Sequence, residues 1–113
     1  MSSISLANVI FHNNITTVQD GSVYIVPSNS SVMNIDFVER GVNSTFVAII
    51  EGKVVAESNW STIRVWNLAE ATGTKNPNTF GAFQCDLSGW SEVRCRITSL
   101  TGTISVYGKI VGE

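Results

Sequence analysis

Few residues in this 113-residue chain are suited to chemistry, and their spacing limits what they can do. The single histidine, His12, ends an apolar run and is followed by Asn13 and Asn14. A serine nucleophile could borrow it as a base, but no Gly-x-Ser-x-Gly turn presents a hydroxyl. His12 therefore reads as a turn residue. The acidic residues Asp20, Asp36, Glu39, Glu51, Glu57, Glu70, Asp86 and Glu92 are scattered, so a glycosidase pair at the required separation could arise only through folding. Cys85 and Cys95 have neither a second cysteine pair nor a suitably spaced histidine to complete a zinc site. Phosphate-loop and calcium-loop motifs are absent. The expectation is a protein with no catalytic residue, no cofactor and no metal, and so no enzyme.

The residues left are better suited to contact than to reaction. Exposed tryptophans make sugar-stacking platforms or interface anchors. Trp90 falls in a turn, where it either caps the end of the fold or projects into a partner. Trp60 and Trp66 have the same strand parity and are expected to share a face, with at least one of them packed in the core. Arg94 and Arg96 point outward together, with Arg64 a candidate neighbour on a paired strand. They form either a solvated face paired with Glu92 or an anchoring patch for another subunit, since arginine is enriched at interfaces. Lys75 and Asn76 sit in Thr72–Thr79, the segment most prone to disorder. Trp90, Arg94, Arg96, Lys75 and Asn76 are thus the candidate interface residues.

The elements that must position these groups are strands. From Phe80 to Gly108 the alternation is regular: Phe83, Cys85, Leu87, then Val93, Cys95, Ile97, then Ile104 and Val106 form an inward row. Gln84, Asp86, Arg94, Arg96, Thr98, Ser105 and Tyr107 face out, the mark of half-buried strands. Turns at Ser88–Ser91 and Thr101–Gly102 make this stretch read as three consecutive antiparallel strands. Hairpin pairing then sets Cys85 opposite Cys95. Opposed strand positions hold Cβ atoms ~4.5–5.5 Å apart, wider than the ~3.8 Å of a disulfide, so reduced core thiols are expected.

Further strands are predicted at 4–11, 15–18, 22–27, 32–38, 45–50 and 60–68, with 54–58 either a strand or a connection. Pro27 should end its strand or place it at an edge. The apolar strand at 45–50 should be central, with both faces covered. About eight short strands at turn spacings near ten residues, with no convincing helix, indicate an all-β fold. An antiparallel β-sandwich of jelly-roll or Ig-like type is expected, as one domain over 1–113 with residues 1–8 a candidate N-terminal arm.

Composition agrees. The charged share is 14%, against roughly a quarter in ordinary domains. A net charge of −2 gives no basic footprint for nucleic acid. No apolar run approaches the ~20 residues of a membrane-spanning helix. Met1–Asn8 lacks the basic and apolar regions of a secretory signal, which predicts synthesis in a cytoplasm.

One pattern points beyond fold class. It comprises Glu51-Gly52 with Trp60, the strand from Gly81 to Asp86, Ser88-Gly89-Trp90, Val93-Arg94-Cys95-Arg96, and Thr98-Ser99 through Thr101-Gly102-Thr103 to Val106-Tyr107-Gly108. It resembles small β-sandwich virion structural proteins of tailed bacteriophages, which include capsid decoration (cement) and tail-associated proteins. The resemblance covers about the last two thirds of the chain. It departs at Ala56-Glu57-Ser58, where the family carries Asp-Gly, and in the cysteine pair. It implies a decoration protein, made in the host cytoplasm and carried on the virion surface. Such a protein would bind the major capsid protein or another virion protein as a homo-oligomer, a trimer among the options. The alternative it implies is a tail or receptor-binding module that recognises a cell-surface glycan. No residue roles carry over, because these positions determine the fold.

Overall fold

The computed structural model describes residues 4–112. Among the described residues there are ten strands: β1 (Ile4–Ile15), β2 (Tyr24–Ile25), β3 (Ser30–Glu39), β4 (Thr45–Lys53), β5 (Ser61–Ile63), β6 (Val65–Asn67), β7 (Thr72–Thr74), β8 (Gly81–Asp86), β9 (Glu92–Thr101) and β10 (Ile104–Gly112). They form a six-stranded antiparallel sheet, ordered β1-β10-β3-β8-β6-β7, and a four-stranded one, ordered β2-β9-β4-β5. The two enclose one apolar core, so the fold is an all-β sandwich.

The inward row read from the sequence is the core. Phe83, Cys85, Leu87, Val93, Cys95, Ile97, Ile104 and Val106 are all buried, with Met33, Ile35, Phe37, Phe46 and Ile50 from the strands facing them. Phe37 on β3 stacks on Phe46 of β4 at 4.8 Å between ring centroids, joining the two sheets. It also meets Phe83 edge-on at 5.4 Å.

Pairing departs from expectation. β8 bonds to β3 and β6, β9 to β4 and β2, and β10 to β1 and β3, so Phe80–Gly108 crosses between the sheets at both turns. The first turn shows how. Leu87 N–H donates to Ser31 of one sheet and Ser91 N–H to Lys53 of the other. Cys85 and Cys95 therefore lie in different sheets as free thiols. Burial pushes the Cys85 thiol up to about 12 and the Cys95 thiol up as well, with nearby Asp86 and Glu51 adding to each shift. Both behave as small apolar core residues.

Other elements shift with this topology. Residues 4–8 pair with β10 in β1 rather than forming an arm, and the first three residues lie outside the described range. The expected strand at 15–18 is absent. β1 runs on to Ile15, and only a bridge from Gln19 to Ile97 follows. β2 is short and lies at the sheet edge, as Pro27 requires. β4 is interior to its sheet, and 54–58 is a turn. The predicted strand at 60–68 breaks at Arg64, where the chain leaves the four-stranded sheet and joins the six-stranded one. Thr72–Thr74, expected as loop, pairs with β6.

Candidate functional site

The one histidine is not in a turn. Register shifts in β1 on either side of His12 turn its side chain inward, where only 3% of the residue is exposed. Its Nε2 donates to the Cys95 carbonyl at 2.6 Å, tying β1 of one sheet to β9 of the other. The left-handed Gly21 (φ 79°) lies against the ring, where a Cβ would come within 2.8 Å. Burial lowers the imidazole pKa, and the bond to the Cys95 carbonyl opposes that shift in part. The folded state therefore prefers neutral His12. As pH falls below about 6.5, the unfolded chain takes up the proton first and stability drops. Urea unfolding midpoints should fall between about pH 7.5 and 5.5, and the slope should flatten in His12→Gln. An unchanged slope in that variant would contradict this role.

The arginines join a network on the outer face of the four-stranded sheet. Glu51 on β4 stands directly opposite Arg94 on β9, and Arg94 Nε donates to Glu51 Oε1 at 2.9 Å. Arg96 lies 3.8 Å from the other Glu51 oxygen and 3.5 Å from Asp20. The Arg94 guanidinium sits 4.2 Å from the centroid of the Trp60 ring, with the Lys53 ammonium 4.9 Å from the same ring. Glu51, rather than the expected Glu92, is the partner of Arg94. Glu92 instead stands opposite Lys53. Arg64 is at the sheet switch beside Gly73, away from the strands that flank β9.

Of the two readings of Trp90, the structure supports the cap. Its ring closes one end of the core against Gly52, where a Cβ would come within 2.6 Å of the indole. Around this end Ile25, Val54 and Val55 are exposed, Ile25 by 75%. The Trp90 turn holds them there: Ser91 Oγ donates to the Val54 carbonyl at 2.6 Å, and Val26 N–H donates to the Ser91 carbonyl at 2.8 Å. Sequence reading missed this apolar rim, because Val54 and Val55 lie in a turn rather than in a periodic strand.

Arg94 and Arg96 therefore share the outer face of the four-stranded sheet, whereas Trp90 packs inward and closes the core. Lys75 and Asn76 are exposed elsewhere, in the segment whose Pro77 carbonyl accepts from Ala48 in the middle of β4. The two remaining tryptophans do not share a face. The chain changes sheet between them, so Trp60 lies half-buried on the four-stranded side and Trp66, 52% exposed, on the six-stranded side. Neither is in the core.

The outer face of the six-stranded sheet carries a depression of about 420 Å³ lined by Asn8, Ile10, Asn34, Asp36, Tyr107 and Lys109. Tyr107 is held by Arg40, whose Nη2 donates to the phenol oxygen at 2.6 Å. The bonds to Ser105 and Arg40 lower the pKa of this phenol. Ser105 points outward as expected, yet it is fully covered. Asn14 N–H donates to its hydroxyl at 2.9 Å and Arg40 Nε does so at 3.4 Å. Among the described residues, no buried side-chain polar atom lacks a hydrogen-bond partner.

Comparison with known proteins locates the fold. No protein-family model matches the chain, and no curated protein does. Among solved structures, the SPBc2 prophage-derived protein YomS superposes with a TM-score of 0.86 at 14% identity, covering 99% of this chain and 96% of that one. The PBSX exported protein XepA gives a TM-score of 0.86 at 22% identity, over 99% of this chain and 39% of its own. At such identities the likeness is one of fold. The chain corresponds to well under half of XepA.

Proposed function

We propose that this chain is a phage-encoded, non-enzymatic structural protein of the virion, a decoration (cement) protein on the outside of the capsid. The observation that carries this reading is the sharing of essentially the whole fold with two phage-derived proteins. The strand-and-turn pattern that resembles virion β-sandwich proteins agrees with it. The buried reactive side chains support a non-enzymatic role, because they have structural tasks. His12 bonds a backbone carbonyl, both thiols are buried, and Glu51 is held between two arginines.

The docking element in this reading is the Trp90 end. Burying Ile25, Val54 and Val55 supplies non-directional attraction, and the Arg94–Arg96–Glu51 face supplies register and specificity. A stable interface needs roughly 800 Å² from each partner. That is much to ask of one end of a small sandwich, so several copies would act together as a homo-oligomer on a capsid symmetry axis, a trimer on a threefold. The test is to add purified protein to capsids that lack it and to sediment the particles. The wild-type chain should co-sediment, and Ile25→Asp with Val54→Asp should remain in the supernatant while keeping its fold. Equal sedimentation of both would remove this docking surface.

A further inference from the structure

We infer that the outer face of the six-stranded sheet is a second binding site, one that takes an uncharged saccharide chain laid across the strands. This goes beyond capsid binding and uses the opposite side of the sandwich.

Strand register puts the relevant side chains in line. Across the sheet Asn8 stands opposite Lys109, Lys109 opposite Asn34, Asn34 opposite Gln84, and Gln84 opposite Trp66. Two residues along, a parallel row runs Ile10, Tyr107, Asp36, Ala82. The open depression spans β1, β10, β3 and β8 between these rows. Three amides, one carboxylate and two aromatic rings thus share one flat face.

Each part suits a sugar. Gln84 Nε2 donates to Asn34 Oδ1 at 3.0 Å. That bond orients both amides and leaves the Asn34 amino group and the Gln84 carbonyl available, a donor and an acceptor side by side for a pair of hydroxyls. Tyr107 is pinned by Arg40, and the Trp66 indole rests against Gly73, where a Cβ would come within 3.1 Å of the ring. Both rings are thereby fixed before any ligand arrives, which lowers the ordering cost of binding. Aromatic faces stack on the apolar faces of pyranose rings. Three strand intervals and a two-residue offset separate Tyr107 from Trp66, roughly 16 Å, so a chain contacts both more readily than a single sugar does. Lys109 and Arg40 are balanced by Asp36 and Asp86 on this side of the sheet, which favours a neutral ligand over uronic or phosphorylated sugars.

The experiment probes the intact protein against an array of neutral and acidic oligosaccharides, then titrates the strongest neutral ligand by calorimetry. Trp66→Ala and Asn34→Ala should each weaken binding by about tenfold or more, with melting temperatures near wild type. Glu57→Ala, in the exposed turn at 54–58, should stay within about twofold. Absence of any neutral ligand, preference for acidic glycans, or wild-type affinity in both face variants would overturn the assignment. Trp66→Ala should still co-sediment with capsids, so failure here is distinct from failure of the docking reading.

Discussion

Replacing Phe37 with alanine is expected to destabilise the protein by about 3–5 kcal/mol. The residue is fully buried and joins the two sheets, stacked on Phe46 at 4.8 Å and edge-on to Phe83 at 5.4 Å. Truncation removes the transfer energy of the ring and leaves a cavity between two rigid layers that can close only partly. Aromatic pairing adds about 0.5–1.5 kcal/mol per contact beyond area burial. Typical domains have only about 5–15 kcal/mol in total, so this variant should unfold at much lower urea with an unchanged slope. A loss below about 1 kcal/mol would show that the sheets do not depend on this aromatic cluster.

The second large effect is expected at Glu51. Its side chain is 9% exposed and receives the Arg94 hydrogen bond at 2.9 Å, with Arg94 itself 16% exposed. Glu51→Gln keeps the shape and removes the charge, leaving two arginines side by side without their shared counter-ion. Full burial would put the cost of breaking such a pair at about 3–5 kcal/mol. Because this one lies on a sheet face partly open to solvent, about 1.5–3 kcal/mol is expected, in the range for hydrogen bonds to charged groups. The effect should shrink in high salt. Arg94 should also lose its fixed position over Trp60, so a change in tryptophan fluorescence should accompany the loss of stability. Wild-type stability and emission in Glu51→Gln would contradict a structural role for the network.

The sequence was legible where a side chain's face is the question and opaque where its neighbour is. Period-2 alternation placed Phe83, Cys85, Leu87, Val93, Cys95, Ile97, Ile104 and Val106 inward, and all are buried. The same alternation is equally consistent with a hairpin and with an arch between sheets, because both sheets look onto one core. That is why β8 and β9 read as paired and are not. Parity failed for Trp60 and Trp66 for a related reason: the strand switches sheets at Arg64, which carries two outward residues to opposite sides of the molecule. His12 was misread because a polar His-Asn-Asn run suggests a turn, whereas bulges in β1 bury its ring. Of the candidate site, Arg94 and Arg96 were placed on the correct face. Their partner Glu51 comes from a strand distant in sequence, and no local spacing could have named it.

On the proposed function, this chain is a structural component of a phage particle. It is tested by quantitative mass spectrometry of density-gradient-purified virions of a phage carrying the gene, referenced to the major capsid protein. Many copies per particle are expected, at a constant ratio to capsid subunits, and they should be lost from particles when Ile25→Asp and Val54→Asp are introduced together. Recovery of the protein only from the lysate or the medium, with none on purified particles, would contradict it.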